Sequence, residues 1–284
     1  MRTYQFSPRR SSRRAPQLLV GTVLAALVLA ACGGSDDSGQ SGDVLRVGSD
    51  LTYPPYAYLD DEGEPAGFDA EMVRALADEI GMQPEFQDTR FEQLIPNLNS
   101  GQFDLIASAL YITADRAKEV DYIPYFTTGN SIVSPTDAAE TLALVSDLCG
   151  KTVGVIKGAA VADSMRQEAN GECQGSDPID VREFPTDPEA TQALLSGQVD
   201  AEVTDAAVAK VAVDKTSGEL EITSDELLYP IPVGLAVERG NDALEKQIRD
   251  ALDKLRASGK YQELLDKYNL QAPDQAQVDK ILGG

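Results

Sequence analysis

The chain has no histidine among its 284 residues. Imidazole-based triads and His-ligated metal centres are therefore excluded. Positive charge is scarce as well, with 24 lysines and arginines against 47 acids and a formal charge of −23. Arg2, Arg9, Arg10, Arg13 and Arg14 all fall in the first 31 residues, which carry no acid, so the remainder is left at −28. A surface this acidic argues against nucleic acid or an anionic bilayer as partner, because both demand a basic footprint. Long apolar runs are also missing. The longest, Leu18 to Ala31, is shorter than the ~20 residues a spanning helix needs. No second stretch approaches that length, which argues against a receptor with its own transmembrane signalling domain.

What the first segment does contain is an export pattern: a basic region, a short apolar stretch and small residues at its end. The ending "LAAC" resembles a bacterial lipobox, in which Cys32 becomes the lipidated N-terminus after cleavage. Residues 1–31 then read as a lipoprotein signal peptide and 32–43 as a flexible polar tether, with the membrane reached through a lipid anchor on Cys32. The alternative is an ordinary export signal with an incidental cysteine. The paired arginines leave both Sec and twin-arginine export open. Cys149 and Cys173 are the other two cysteines, and an even pair in an exported chain favours a disulfide over two free thiols.

About 250 residues remain, enough for two lobes with cores of their own. "VLRVGSD" reads as a strand ending at Asp50. "AGFDAEMVRALADEIGM" places Val73, Leu76, Ala77 and Ile80 on one helical face, with Asp69 as the expected N-cap and Gly81 as the stop. Thr89 and Glu92 have capping-box spacing ahead of a Phe91, Leu94, Ile95, Leu98 stripe. Strands alternating with helices at this rhythm indicate an α/β fold with a largely parallel sheet. "SGQFDLIAS" at Ser100 returns as "SGQVDAEVT" at Ser196, each after an amphipathic helix, which suggests one helix–strand unit in each of two lobes. The expected division is lobe one over 44–128, lobe two over 129–228, and a return to lobe one over 229–270. The tail, 271–284, is expected to fray. Two lobes joined by two crossing segments leave a cleft, a common small-molecule site that closes by hinge motion.

In "SALYITADRAKEVDY", Thr113 is the expected N-cap and puts Arg116 in the first helical turn, where a cation opposes the helix dipole. That placement makes sense if an anion sits where backbone N–H groups and the guanidinium converge, and a planar fork suits a carboxylate. The alternative is a surface Arg116–Glu119 pair. Asp205, at a strand end and helix start, reads either as an N-cap or as the counter-charge of an ammonium. Asp50 has the same ambiguity between turn residue and ligand acid. Tyr53, Tyr56, Phe91 and Tyr111 are core or cleft aromatics. A carboxylate receptor facing acids and aromatics suits an amino acid or a related zwitterion.

"LRVGSDLTYPPYAYLDDEGEPAGFDAEMVRALADEIG", "FEQLIPNLNSGQFDLIASALYITADRAKEVDY" and "GKTVGVIKGAAVADSM" together resemble the family 3 extracellular solute-binding proteins, over about Val44 to Leu270. The resemblance implies a type II periplasmic-binding-protein fold, two α/β lobes on a two-segment hinge, with no cofactor, metal or intrinsic catalysis. Such proteins deliver polar amino acids to an ABC transporter permease outside the cytoplasm. In Gram-positive bacteria they are commonly lipid-anchored, and a monomer is expected. By resemblance, Arg116 matches the α-carboxylate arginine and Asp205 the α-ammonium acid. Tyr53 and Phe91 match the aromatics flanking the ligand side chain, and Asp50 an acid that can meet it. Ser108 and Ala109 match the backbone-contact strand, and Gly158 and Ala160 the lobe-two turn facing the carboxylate. Two departures stand out. Tyr111 occupies a place usually held by Thr or Ser, and Ala160 one usually held by Ser or Thr. The added tyrosine favours a cationic or quaternary group through cation–π contact. A basic amino acid, or an ectoine- or betaine-like zwitterion, is therefore as credible as glutamine. A dehydratase on a similar fold is the enzymatic alternative, but no catalytic carboxylate motif is recognisable. A ligand-presenting partner of a signalling receptor is compatible with the same residues.

Overall fold

The computed structural model describes residues 43–173 and 175–283, so Cys32 and the expected export segment lie outside the described residues. The first lobe opens with β1 (Val44–Ser49), whose Leu45 and Val47 are fully buried. A small antiparallel sheet follows, formed by β2 (Thr52–Tyr53), β3 (Ala57–Leu59) and β4 (Pro65–Ala66). Helix α1 (Phe68–Ile80) then buries Val73, Leu76 and Ala77 of the predicted stripe, leaves Ile80 half-buried, and stops at Gly81 in the left-handed conformation. Its start differs from the expectation. Gly67 is the N-cap, and Asp69 lies inside the first turn, fully buried, with its carboxylate turned into the lobe. Only glycine fits before it: φ is 103°, and a Cβ would meet the Tyr56 carbonyl oxygen at 2.4 Å.

β5 (Gln83–Asp88) pairs parallel to β1. The expected capping box at Thr89 and Glu92 is absent. The Thr89 hydroxyl donates to the Gln87 carbonyl, and Phe91–Gln93 forms a 3-10 turn that leads into α2 (Leu94–Asn99). After α2 comes β6 (Leu105–Ile106), parallel to β1. The long strand β7 (Val120–Pro135) has 16 residues. At ~3.3 Å per residue it spans roughly 50 Å, enough to serve both lobes.

The second lobe contains β8 (Thr152–Ile156), α3 (Ala160–Glu172), β9 (Asp180–Phe184), α4 (Asp187–Leu195), β10 (Ala201–Asp205), α5 (Ala206–Lys215) and β11 (Leu220–Ile222). β12 (Leu228–Glu238) returns antiparallel to β7 and reaches β6. Among the described residues, nine strands form one sheet in the order β5-β1-β6-β12-β7-β10-β8-β9, with β11 also on β7. β7 and β12 are the two segments that cross between lobes.

The repeated phrase corresponds to a repeated structure. Gly101 and Gly197 both take positive φ after α2 and α4. Asp104 N–H donates to the Arg46 carbonyl at 2.9 Å, while its carboxylate accepts from Arg46 N–H at 3.0 Å. Asp200 makes the same exchange with Thr152, at 2.7 Å in both directions. In each lobe the aspartate of "SGQxD" thus clamps a parallel strand pair at its entrance.

α6 (Asp242–Ser258) and α7 (Lys260–Lys267) bring Leu252, Leu255 and Leu265 into the core that also holds Leu45 and Leu76. The expected frayed tail is instead α8 (Gln275–Leu282), capped by Asp274, with Val278 buried. An apolar stripe of modest length escaped notice because it follows a polar linker. No helix among the described residues is long and apolar enough to cross a membrane.

Cys149 and Cys173 form a disulfide that joins the turn before β8 to the end of α3, as expected. With a sequence separation of 24, this crosslink should contribute ~3 kcal/mol by restricting the unfolded chain. Reduction, or the Cys149→Ser/Cys173→Ser variant, is expected to lower the thermal midpoint by roughly 6–12 °C in scanning calorimetry. An unchanged midpoint would remove the crosslink from the account of lobe-two stability.

Candidate ligand-binding site

A narrow cavity of about 20 Å³ lies between the lobes. That leaves room for about one water molecule, far below the ~300–1,000 Å³ of small-molecule sites, so a ligand enters only when the lobes part. Lobe one supplies Tyr53, Phe91, Ala109, Tyr111 and Arg116, and Ala160 and Asp205 face them from lobe two. Asn130, Ile156, Ala159, Val161, Val203 and Thr204 complete the wall. A larger groove of about 690 Å³ passes Thr127, α5 and the end of α7. Its lysines are already paired, Lys210 with Asp214 and Lys267 with Glu71, so it offers no uncompensated charge.

Arg116 begins a single 3-10 turn, Arg116–Lys118, rather than the expected α-helix. Thr113 nevertheless accepts from Arg116 N–H through its hydroxyl, at 3.3 Å. The guanidinium donates to the Tyr111 carbonyl at 3.0 Å and to the Gly158 carbonyl across the cleft at 2.8 Å. It also lies 5.5 Å from the centre of the Phe91 ring. Among the described residues it makes no ion pair, with Glu119 or any other acid. A carbonyl-held cation without a counter-ion is ready to take an anion.

Asp205 is fully buried and does cap α5, accepting from Ala207 N–H at 2.9 Å. Lobe one adds two donors: the Tyr56 hydroxyl at 2.8 Å and the Tyr111 hydroxyl at 2.8 Å on the other oxygen. No cation touches it among the described residues. Burial pushes the carboxyl pKa upward, against the hydrogen bonds from Tyr111 and Tyr56. Tyr111 therefore links both charges, its carbonyl accepting from Arg116 and its hydroxyl donating to Asp205.

Three candidate residues lie outside the cavity wall. Asp50 accepts from Phe91 N–H at 2.9 Å and from the Thr52 hydroxyl at 2.6 Å, and pairs with Arg90 at 2.9 Å. Its oxygens are taken up in positioning the Phe91 turn. Ser108 is buried, and its hydroxyl oxygen accepts from Asp50 N–H at 3.0 Å. Gly158 adopts φ 80° and offers its carbonyl to Arg116; a Cβ there would meet Glu92 Cα at 3.1 Å. Beside it, Lys157 pairs with Glu92 at 2.6 Å across the cleft mouth. Asn130 and Thr204 were not anticipated; the polar run "TTGNS" inside a buried strand was the available signal for the former.

Residues 45–271 match the bacterial extracellular solute-binding proteins, family 3. The chain belongs to this family. Its relatives include the L-cystine-binding protein TcyJ of Escherichia coli K12, 30% identical over 79% of this chain and 82% of that protein. Another is the L-arginine-binding protein of Pseudomonas aeruginosa, 31% identical over 79% of this chain and 87% of the other. Among solved structures, an ancestral arginine-binding protein bound to arginine is 33% identical with a TM-score of 0.74, covering 80% of this chain and 99% of that one. The architecture above is thus the type II periplasmic-binding-protein fold, and membership of the family places the folded part outside the cytoplasm.

Behind the cavity wall of this family member sits a second group of buried acids. Thr204 donates its hydroxyl to Asp187, and Thr191 donates to Glu202 at 3.2 Å. The other Glu202 carboxylate oxygen is buried without a partner. Burial raises Asp187 and Asp69 to about 7 from an ordinary 3.8, and burial, followed by the Asp187 charge, raises Glu202. A folded state that holds these protons more tightly than the unfolded chain draws stability from them at low pH. That contribution is complete below about pH 4 and is lost as pH rises through about 7. The thermal midpoint is expected to lie several degrees higher at pH 5 than at pH 8, with Asp187→Asn narrowing the gap. A midpoint that rises from pH 5 to pH 8 would contradict this.

Proposed function

We propose that the cavity captures a polar or cationic amino acid for an ABC importer, with Arg116 receiving the α-carboxylate and Asp205 the α-ammonium. One observation carries the reading: a guanidinium without a counter-ion and a buried carboxylate without a cation face one cavity from opposite lobes. An amino acid completes both pairs at once. Tyr53 and Phe91 then flank its side chain, and the names of the arginine-binding relatives favour a cationic one. Asn130 and Thr204 add polar groups to the same wall. Catalysis is not part of this reading.

The remaining assignments rest on the sequence and the strand crossings. We assign lobe one to 44–128 and 229–270 and lobe two to 129–228, in keeping with β7 and β12 as the crossing strands. Lipid anchoring at Cys32 follows from "LAAC" and the polar tether, and the protein works as a tethered monomer beside its permease. A quaternary zwitterion is the second reading, motivated by the Tyr111 hydroxyl that already occupies one Asp205 oxygen.

Calorimetry with L-arginine, L-glutamine, L-cystine and glycine betaine tests these readings. Arg116→Ala should cost the selected ligand about 2–5 kcal/mol, or roughly 30- to several thousand-fold in affinity. Asp205→Asn is expected to weaken binding at least tenfold. Lys118→Ala should stay within twofold, because Lys118 is exposed and pairs only with Asp115. If Arg116→Ala and Lys118→Ala bind alike, the carboxylate-receptor reading fails. Tight betaine binding without amino acid binding would select the second reading.

A further inference from the structure

We propose that Asp69 is a positioning residue for ligand binding, holding Ala109 in the left-handed conformation that aims the Ala109–Tyr111 wall at the cavity. The inference rests on the reading of this cavity as the ligand site. Ala109 lines the cavity with φ 45°, a left-handed region that a residue with a Cβ enters only against steric resistance. Something must hold it there. On either side the chain is tied to the sheet: Ala107 N–H donates to Gly48 at 3.1 Å, and Leu110 accepts from Gly234 N–H at 3.0 Å. Ala109 N–H itself goes to the Asp69 carboxylate, at 2.8 Å.

The helix does not need an acid at this point, since Gly67 is the cap and the Asp69 side chain closes no turn of α1. The N–H and both carboxylate oxygens of Asp69 instead reach the surroundings of the site. Its backbone N–H donates to the Tyr56 carbonyl at 2.9 Å, and the Tyr56 hydroxyl reaches Asp205. One carboxylate oxygen takes Ala109 N–H, and the other accepts from the Tyr125 hydroxyl on the crossing strand β7. Tyr125 is itself held, with Tyr261 donating to its carbonyl at 2.8 Å and the Phe68 ring stacked against it. A carboxylate with no cation beside it is an expensive group to bury. Its retention is explained if it aims the wall that carries Tyr111 and, through the Tyr111 carbonyl, Arg116.

The test combines hydrogen exchange on the ligand-free chain with calorimetry using L-arginine as probe. Asp69→Ala is expected to speed amide exchange at Ala109 at least tenfold and to weaken L-arginine binding at least tenfold. Asp69→Asn keeps an acceptor for Ala109 N–H, and both readouts should stay within threefold of the parent chain. Leu76→Ala, a buried truncation on the same helix, should lower the thermal midpoint by at least as much as Asp69→Ala while affinity stays within twofold. If Asp69→Ala does not fold, Asp69→Ser, too short to span to Ala109, carries the same expectation. The proposal is overturned if the truncated Asp69 variant exchanges and binds like the Leu76 variant, or if Asp69→Asn is as impaired as the truncation. A parent chain that does not bind L-arginine while the exchange pattern holds overturns the cationic-ligand reading and upholds Asp69 as the support of Ala109.

Discussion

Asp205 carries its carboxylate into the interior with no cation beside it, and two of its three donors belong to the opposite lobe. Lone buried carboxylates are costly, so hydrogen bonds must replace what water supplied. Here those bonds come from Tyr56 and Tyr111, and opening the cleft would strip both of them. The Asp205 carboxylate therefore joins the lobes, and no cation stands beside it among the described residues. Arg116 mirrors this from the other side, with its guanidinium held by two carbonyls, one of them across the cleft.

The fold supplies these elements with little freedom. β7 and β12 pair along most of their length, so both lobes hang from one two-strand ribbon. A glycine allows close approach where the lobes touch, with Gly158 packed on the Glu92 backbone. The apolar core of lobe one runs on into Ile156 and Val208 of lobe two, so aliphatic packing accompanies the polar contacts. Differential contacts between open and closed arrangements are what let a ligand shift such an equilibrium. Both charged groups lie on the surfaces that meet.

Much of the site was legible because its chemistry sits at element boundaries. Arg116, Asp205, Tyr53 and Phe91 each stand at a strand end, a turn or a helix start, where local rules restrict what a side chain can do, while Tyr111 forms an isolated bridge to Val233. Even there local reasoning was incomplete. Asp69 had the composition of an N-cap, yet Gly67 took that role, because the crowded approach to Tyr56 admits no side chain there. Asp50 and Ser108 belong to the same neighbourhood but bond to each other and to the Phe91 turn rather than to the cavity.

Residue order alone was enough for the alternation of strands and helices, the repeated "SGQxD" phrase, a preference for pairing two cysteines and the absence of imidazole chemistry. Each of these depends on residue type and short spacing, which the linear chain preserves. Only the tertiary structure decided that Tyr111 reaches Asp205, 94 residues away, and that Asp69 reaches Ala109, 40 residues away. It also decided that the tail folds as a helix whose Val278 is buried. Those outcomes rest on which surfaces meet when two lobes close on a shared ribbon, and no local pattern encodes that distance.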